Sequence, residues 1–331
     1  MKNIRQIAKL AGVSHSTVSR VLNGSESVKK ETRERVEKVM AEQGYKPNIY
    51  ARGMLGESPK TLGVVIPNVM DPFFSTVISS IERVCRSQAT QLLIAEGKTT
   101  PDTELEAINY LLNKGCDRLL VHTKALSDEQ LAVVLNKSKE IYLINRAHPA
   151  YPERCSGFDN YVGGGLAAKA LIGRGRVSVA IVTSSIMIED ATDRLQGFID
   201  ELHANDISLS KDMIFSAASS LNGGTVAARS LLTKGAKFDA VFCYNDIMAA
   251  GVIQALQDNG VNVPADVSVV GFDDLEIANY LVPRLSTIRY PVAEMAEAMT
   301  QAILQDLNGD GSALASLNNR WQPVFVSRES H

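Results

Sequence analysis

From Thr61 onward the chain alternates short apolar runs with amphipathic stretches, and this alternation limits the fold more than any other feature. Candidate strands lie at Leu62–Pro67, Gln91–Glu96, Arg118–His122, Ile141–Asn145, Val177–Thr183, Met213–Ser216, Ala240–Tyr244, Val267–Phe272 and Val324–Ser327. Helical periodicity occupies Phe73–Ser87, Asp102–Lys114, Val162–Ile172, Arg194–Ala204, Gly224–Lys234 and Ile247–Asp258 between them. Strands separated by helices pair in parallel, because the crossover helix returns the chain to the same end of the sheet. The span predicts an α/β core of two doubly wound parallel-sheet subdomains, with a ligand cleft at the carboxyl ends of the strands.

The first 46 residues have a different texture. Ile4, Ile7, Ala8 and Ala11 share one helical face, and Val18, Val21 and Leu22 share another. Between them Gly12 permits a sharp turn, small Ala8 lets the helices cross closely, and Ser14 is a good N-cap. These spacings predict an N-terminal all-α helix-turn-helix head, whose second helix opens with His15, Ser16 and Thr17. An ordinary helical hairpin is the alternative. A third helix from Lys30 to Gln43, stopped by Gly44, should close a small core over Leu10, Val18 and Leu22. Pro47 ends regular structure, Asn48 can cap a short helix from Ile49 to Leu55, and Gly56, Ser58 and Pro59 mark a linker. The boundaries read as 1–46 for the head, 47–60 for hinge and linker, and 61–331 for an effector-binding and dimerisation core.

Charge follows the same division. Residues 1–59 carry eleven Lys and Arg against six Asp and Glu, whereas the remainder carries 23 against 31, for a net charge of −3. A basic head on an acidic body implies that only the head meets a polyanion. The four cysteines, Cys85, Cys116, Cys155 and Cys243, lie scattered in apolar sequence, which reads as buried thiols in a reducing cytoplasm. No signal peptide or membrane-length apolar run is found, so a cytoplasmic protein is expected. His15, His122, His148, His203 and His331 form no metal spacing, and no G-x-S-x-G elbow occurs. Gly163-Gly164-Gly165 fits no phosphate-loop pattern and reads as close helix packing. Neither an enzyme nor a cofactor is expected.

Several motifs extend the reading. The head runs Ile7-Ala8-Lys9-Leu10-Ala11-Gly12-Val13-Ser14, then Thr17-Val18-Ser19-Arg20-Val21-Leu22-Asn23, with Gly44-Tyr45-Lys46-Pro47-Asn48 and Ala51-Arg52 following. The body carries Asp71-Pro72-Phe73-Phe74, Asp193-Arg194-Leu195-Gln196-Gly197-Phe198, Tyr244-Asn245-Asp246-Ile247-Met248 and Val270-Gly271-Phe272-Asp273-Asp274. In this order they resemble the LacI/GalR family of bacterial transcriptional repressors over essentially the whole chain. Val121-His122-x-Lys124, Leu143-Ile144-Asn145-Arg146 and Pro283-Arg284-Leu285-Ser286-Thr287-Ile288-Arg289-Tyr290-Pro291 bring the likeness nearest to galactose repressors. The resemblance implies a homodimer, a periplasmic-binding-protein-like core, and binding to double-stranded operator DNA that a small sugar, galactose or a relative, controls. A sugar-binding receptor without regulatory role, or a regulator answering to a β-glucoside, is the alternative. Lacking a C-terminal leucine heptad, the chain is expected to stop at the dimer.

The resemblance also assigns roles. Arg20 would read guanine, with phosphate contact as the alternative, and His15 and Ser16 would be the other base readers. Ser14, Thr17 and Asn23 would hold phosphate, Arg52 would serve groove or phosphate, and Met54 would wedge into the minor groove. Met54 stands where the family usually has Leu, Gly53 where it has Ala or Ser, and Arg176 where it has His. The His15-Ser16 pair replaces the Val-Ala common in galactose repressors and points to a different operator. Effector residues would be Arg194, Asp190, Asn245, Asp273, Phe73, His122 and Asn145. For Asp190 and Arg194 the plain alternative is a surface i,i+4 ion pair, for Phe73 core packing, and for His122 a structural role.

Overall fold

The computed structural model describes residues 3–22, 25, 27–45, 60–186, 188–235 and 237–331, in two compact units, Met1–Lys60 and Thr61–His331. The expected hinge helix, and with it Asn23, Arg52 and Met54, falls outside the described residues.

The first unit holds α1 (Ile4–Ala11), α2 (His15–Leu22) and α3 (Lys30–Glu42). Asn3 and Gln6 form a reciprocal capping box at the start of α1, and Gly12 leaves it in the left-handed conformation at φ 63°. Ser14 caps α2 by accepting the Thr17 N–H at 3.1 Å. Ile7, Ala8, Ala11, Val18, Val21 and Val36 form the core, with Leu22, Val39 and Met40 packed at its edge. Leu10 corrects the expectation, being 54% exposed. It lies between the two faces of α1, and periodicity over so short a helix does not fix which flank is covered.

The second unit is built from two six-stranded sheets. The first takes β1 (Thr61–Ile66), β2 (Gln91–Glu96), β3 (Arg118–Val121), β4 (Ile141–Ile144) and β5 (Cys155–Phe158). Its helices are α4 (Pro72–Ser87), α5 (Pro101–Asn113) and α6 (Asp128–Lys137). After α7 (Asn160–Ile172), the second sheet follows with β6 (Val179–Ser184), α8 (Glu189–Ala204), β7 (Ile214–Ala217), α9 (Leu221–Thr233), β8 (Ala240–Cys243), α10 (Asp246–Asp258), β9 (Ser268–Asp273) and β10 (Ser286–Arg289). The chain then returns through α11 (Val292–Leu307), which packs on α4, and α12 (Ser312–Ala315). Two short strands finish it: β11 (Arg320–Trp321) extends the first sheet and β12 (Val324–Val326) the second. Strand orders are β11-β5-β4-β3-β1-β2 and β12-β10-β9-β8-β6-β7. Every pair is parallel except β10 with β12. The doubly wound expectation therefore holds, and β5, β10, β11, α6, α11 and α12 are additions to it.

Both faces of the central strands are covered, so β1, β6, β8 and β9 are buried along their whole length. All four cysteines are free and buried. The triple glycine works as a packing surface. A methyl group on Gly164 would overlap the Arg194 carbonyl, and one on Gly197 would overlap that of Tyr161, so α7 and α8 cross backbone to backbone. Arg176, unexplained by sequence, donates from Nε to Ser268 Oγ at 3.0 Å and from Nη2 to the Pro264 carbonyl at 2.6 Å, tying the loop before β9.

Replacing Gly164 by Ala should therefore destabilise the protein by about 1–3 kcal/mol in urea unfolding through overpacking. Gly165→Ala, where the added carbon meets its nearest atom at an ordinary 3.6 Å, should instead be neutral or stabilising by up to ~1 kcal/mol.

Candidate functional site

On the head, α2 turns Val18 and Val21 inward and leaves Ser14, His15, Ser16 and Arg20 exposed, with Thr17 half-buried. The Ser14 hydroxyl hydrogen-bonds those of Ser16 and Thr17 at 2.8 Å each, which fixes the first turn. His15, Ser16 and Arg20 thus form an exposed polar surface with their main chain anchored beneath it.

In the second unit, the carboxyl ends of β1, β3, β4, β8 and β9 converge on the start of α8. Asp71 caps α4 through the Phe73 N–H, and Asn245 caps α10 through the Met248 N–H, both at 2.9 Å. Asn145 (φ 57°), Asp273 (φ 106°) and Asp274 (φ 57°) all sit in the left-handed region, a strained geometry that clusters at ligand sites.

Arg194 is 3% exposed. Its Nε donates to Asn160 Oδ1 at 2.9 Å and its Nη1 to the Tyr244 carbonyl at 2.7 Å, while Nη1 lies 3.3 Å from Asp273 Oδ1. The guanidinium stacks over Phe272, 3.7 Å from the ring centroid. Asp190 accepts the Tyr244 hydroxyl at 2.9 Å and lies 3.9 Å from Lys124 Nζ. The surface-pair alternative for Asp190 and Arg194 is thus ruled out by their burial. Burial works to raise the Asp190 pKa, but Lys124, Arg194 and the Tyr244 hydroxyl outweigh it and hold the carboxyl below its ordinary value. Asp273 goes the other way: burial lifts it to about 7 against the pull of Arg194.

The Tyr290 hydroxyl donates to Asn145 Oδ1, so Asn145 Nδ2–H faces His122 Nε2 at 3.1 Å. This network assigns the proton of His122 to Nδ1, which has no partner among the described residues. Phe73 packs in an aromatic cluster, its ring 5.2 Å from Phe74 and 5.1 Å from Tyr290. It is core and cavity wall at once.

Two adjoining cavities occupy the cleft. All seven predicted effector residues line the inner one, of about 30 Å³, beside Asp71, Lys124, Ser219 and Tyr244. The outer one, of about 480 Å³, shares only His122, Lys124, Asn145 and Asp190 with it. The larger space is therefore the chamber, and the charged groups converge at its floor. Sequence reading missed Lys124, Tyr244 and Tyr290, each inside a motif already noted, and Asn160 and Glu104, which carry no motif. The Glu104 carboxylate accepts the N–H groups of Lys124, Ala125 and Leu126 at 2.8, 3.1 and 3.2 Å, so it holds the loop that presents Lys124. No cluster of metal-ligand residues occurs among the described residues.

A helix-turn-helix head joined to a two-sheet ligand-binding core is the build of a ligand-responsive DNA-binding regulator. Residues 3–48 match the model for bacterial regulatory proteins of the lacI family, and residues 168–330 match a periplasmic binding protein-like domain. The chain is 37% identical to the HTH-type transcriptional regulator GalR of Escherichia coli K12, over 100% of its own length and 96% of that protein. It belongs to the lacI family and is a DNA-binding transcriptional regulator. Among solved structures, the E. coli transcriptional repressor ascG superposes with a TM-score of 0.73 at 30% identity, over 82% of this chain and 99% of that one. The lac repressor dimer bound to operator and an anti-inducer shares the fold, with a TM-score of 0.86 at 24% identity over 99% and 98% of the two chains.

His122 gives a pH prediction. Burial, and then Lys124, lower its pKa from 6.5 to about 3, so the folded protein keeps it neutral where the unfolded chain takes up a proton. Below 6.5 the unfolded state binds more protons, and stability is lost as pH falls. In urea unfolding, His122 should account for about 2–3 kcal/mol of the loss between pH 7 and about 4.5, and His122→Asn should lack that component.

Proposed function

We propose that this chain is a repressor of sugar catabolic or transport genes, released from a palindromic operator when a small sugar of the galactose type binds the cleft. Residues 1–46 are the DNA-binding head, 47–60 the hinge, and 61–331 the effector core. The observation that carries the reading is the meeting of Asp190, Arg194, Asn245, Asp273, His122 and Asn145 on one cavity between the two sheets. Carboxylates, amides and a guanidinium at fixed positions suit vicinal hydroxyls, each of which donates and accepts, and the Phe73 cluster supplies an apolar face for ring C–H groups. On the head, His15, Ser16 and Arg20 read bases, while Ser14, Thr17 and Asn23 hold phosphate. Arg52 and Met54 act at the minor groove.

Effector bound between the sheets changes their relative orientation and lowers DNA affinity, and by linkage operator DNA lowers sugar affinity by the same factor. The working form is a cytoplasmic homodimer. The edge strand β2 supports this with Leu93 and Ile94 exposed at 37% and 39%, an apolar edge that another copy would cover.

Fluorescence anisotropy on DNA from the gene's own promoter region, at fixed salt, tests the reading. Tight binding should be released by D-galactose. Tight binding that ignores galactose, and every other sugar, would overturn the effector half, and absence of site-specific binding would overturn the DNA half. Arg20→Ala should weaken operator binding by about 1–3 kcal/mol and flatten discrimination at one base pair, seen by competition with point-substituted operators.

A further inference from the structure

We propose that the ion pairs Arg146–Glu189 and Lys124–Asp190 form a releasable latch between the two halves of the core, which sets by charge how far the cleft stands open before a ligand enters. All four charges have a second partner at hand when the pairs part.

The two acids are consecutive residues in the first turn of α8, in the second half. Both cations follow strands of the first half, Lys124 after β3 and Arg146 after β4. At the rim, Arg146 Nη1 lies 2.7 Å from Glu189 Oε2, and the Glu189 side chain is 59% exposed. Deeper in, Lys124 and Asp190 stand 3.9 Å apart with side chains only 17% and 12% exposed. The rim pair is thus open to screening by salt, and the inner one is shielded from it. Parting the halves on this side breaks both.

What distinguishes a latch from a fixed tie is what remains after release. Arg146 keeps Asp128 of α6, 2.8 Å from its Nη2, and the Asp128 carbonyl is itself held by His148 Nε2 at 3.1 Å. Lys124 stays on the loop that Glu104 grips, its Nζ 5.6 Å from the Phe74 ring centroid. Asp190 keeps the Tyr244 hydroxyl at 2.9 Å and the Ala191 N–H at 3.1 Å. Glu189, in a first turn that no side chain caps, keeps the positive end of the α8 dipole. Opening strands no charge, so the heavy cost of breaking an unsupported buried pair does not arise.

Like charges also push against the latch. Burial raises the Glu189 pKa and Arg146 pulls it down, while Asp193, Asp128 and Asp190 push it up again, so acids crowd the pair that closes the rim. An exposed ion pair shifts an equilibrium by no more than about fivefold, and by less as salt rises. The latch is therefore a bias and not a lock. It favours the closed cleft, and a ligand that prefers either arrangement can outweigh it.

Pulsed dipolar spectroscopy on the ligand-free full chain tests the proposal. Nitroxides go on Val133→Cys in α6 and Lys211→Cys before β7, both exposed positions, one in each half. The four native cysteines are buried, which confines labelling to the added pair, and dilution into excess unlabelled chain leaves only distances within one chain. Glu189→Gln should raise the ratio of open to closed distances about two- to fivefold, and Glu189→Lys should raise it further. Raising KCl from about 50 to about 500 mM should move the parent toward Glu189→Gln and move that variant less. Arg146→Gln should open the cleft by the same factor as Glu189→Gln, and the double variant no further than either alone. A Glu189→Lys distribution that matches the parent at low salt would overturn the latch. So would opening that salt fails to reproduce in the parent, or effects of the two single variants that simply multiply in the double one.

Discussion

The organisation of the core depends on one buried guanidinium. Arg194 leaves the second turn of α8 and reaches Asn160 at the start of α7, the Tyr244 carbonyl after β8 and Asp273 at the end of β9, with Phe272 beneath it. A charge this deep is tolerated only when its donors are matched, and removing one partner strands the other at a cost of about 3–5 kcal/mol. The strands around it are thereby held in one arrangement. The close crossing at Gly164 and Gly197 serves the same end, since it lets α8 lie near enough to α7 for Arg194 to reach Asn160.

The start of α8 is also where the two sheets meet. Glu189 and Asp190, adjacent residues of the second half, face Arg146 and Lys124 of the first. No side chain caps this helix, so its two leading acids also face the positive end of the helix dipole. Rotation of one half against the other must separate these pairs. Glu104 keeps Lys124 in place by gripping the loop behind it, which turns a flexible lysine into a fixed charge. The same residues thus shape the chamber and tie its walls together.

Much of this was legible from sequence for a local reason. A buried parallel strand is a run of apolar residues and a helix has a 3.6-residue period, so element type can be read a few residues at a time. Helix α8 was placed from Arg194 although it begins at Glu189, because Glu, Asp and Thr in its first turn have no apolar period. Strand β5, Cys-Ser-Gly-Phe, was missed because its small and polar residues resemble a loop. Its burial comes from β4 on one side and β11, more than 150 residues later, on the other. Of the seven effector candidates, Phe73, His122, Asn145, Asn245 and Asp273 were named from motifs at strand ends, and Asp190 and Arg194 from their spacing at the entry of a helix. Glu104 and Asn160 were not, because a helical Glu and a helix-starting Asn look the same whether they face solvent or a buried loop.

The sequence by itself determined the α-helical head, the parallel α/β core and the positions of the strand ends, since each follows from periodicity and caps acting over a few residues. Tertiary structure alone decided that Arg194 is buried rather than paired on a surface, and that His122 carries its proton on Nδ1. It also decided that the last forty residues return to complete both sheets. The cleft is divided into a tight polar floor and a wide chamber for the same reason. Burial and partner choice are set by groups brought together from distant parts of the chain, and no local pattern encodes which of them will meet.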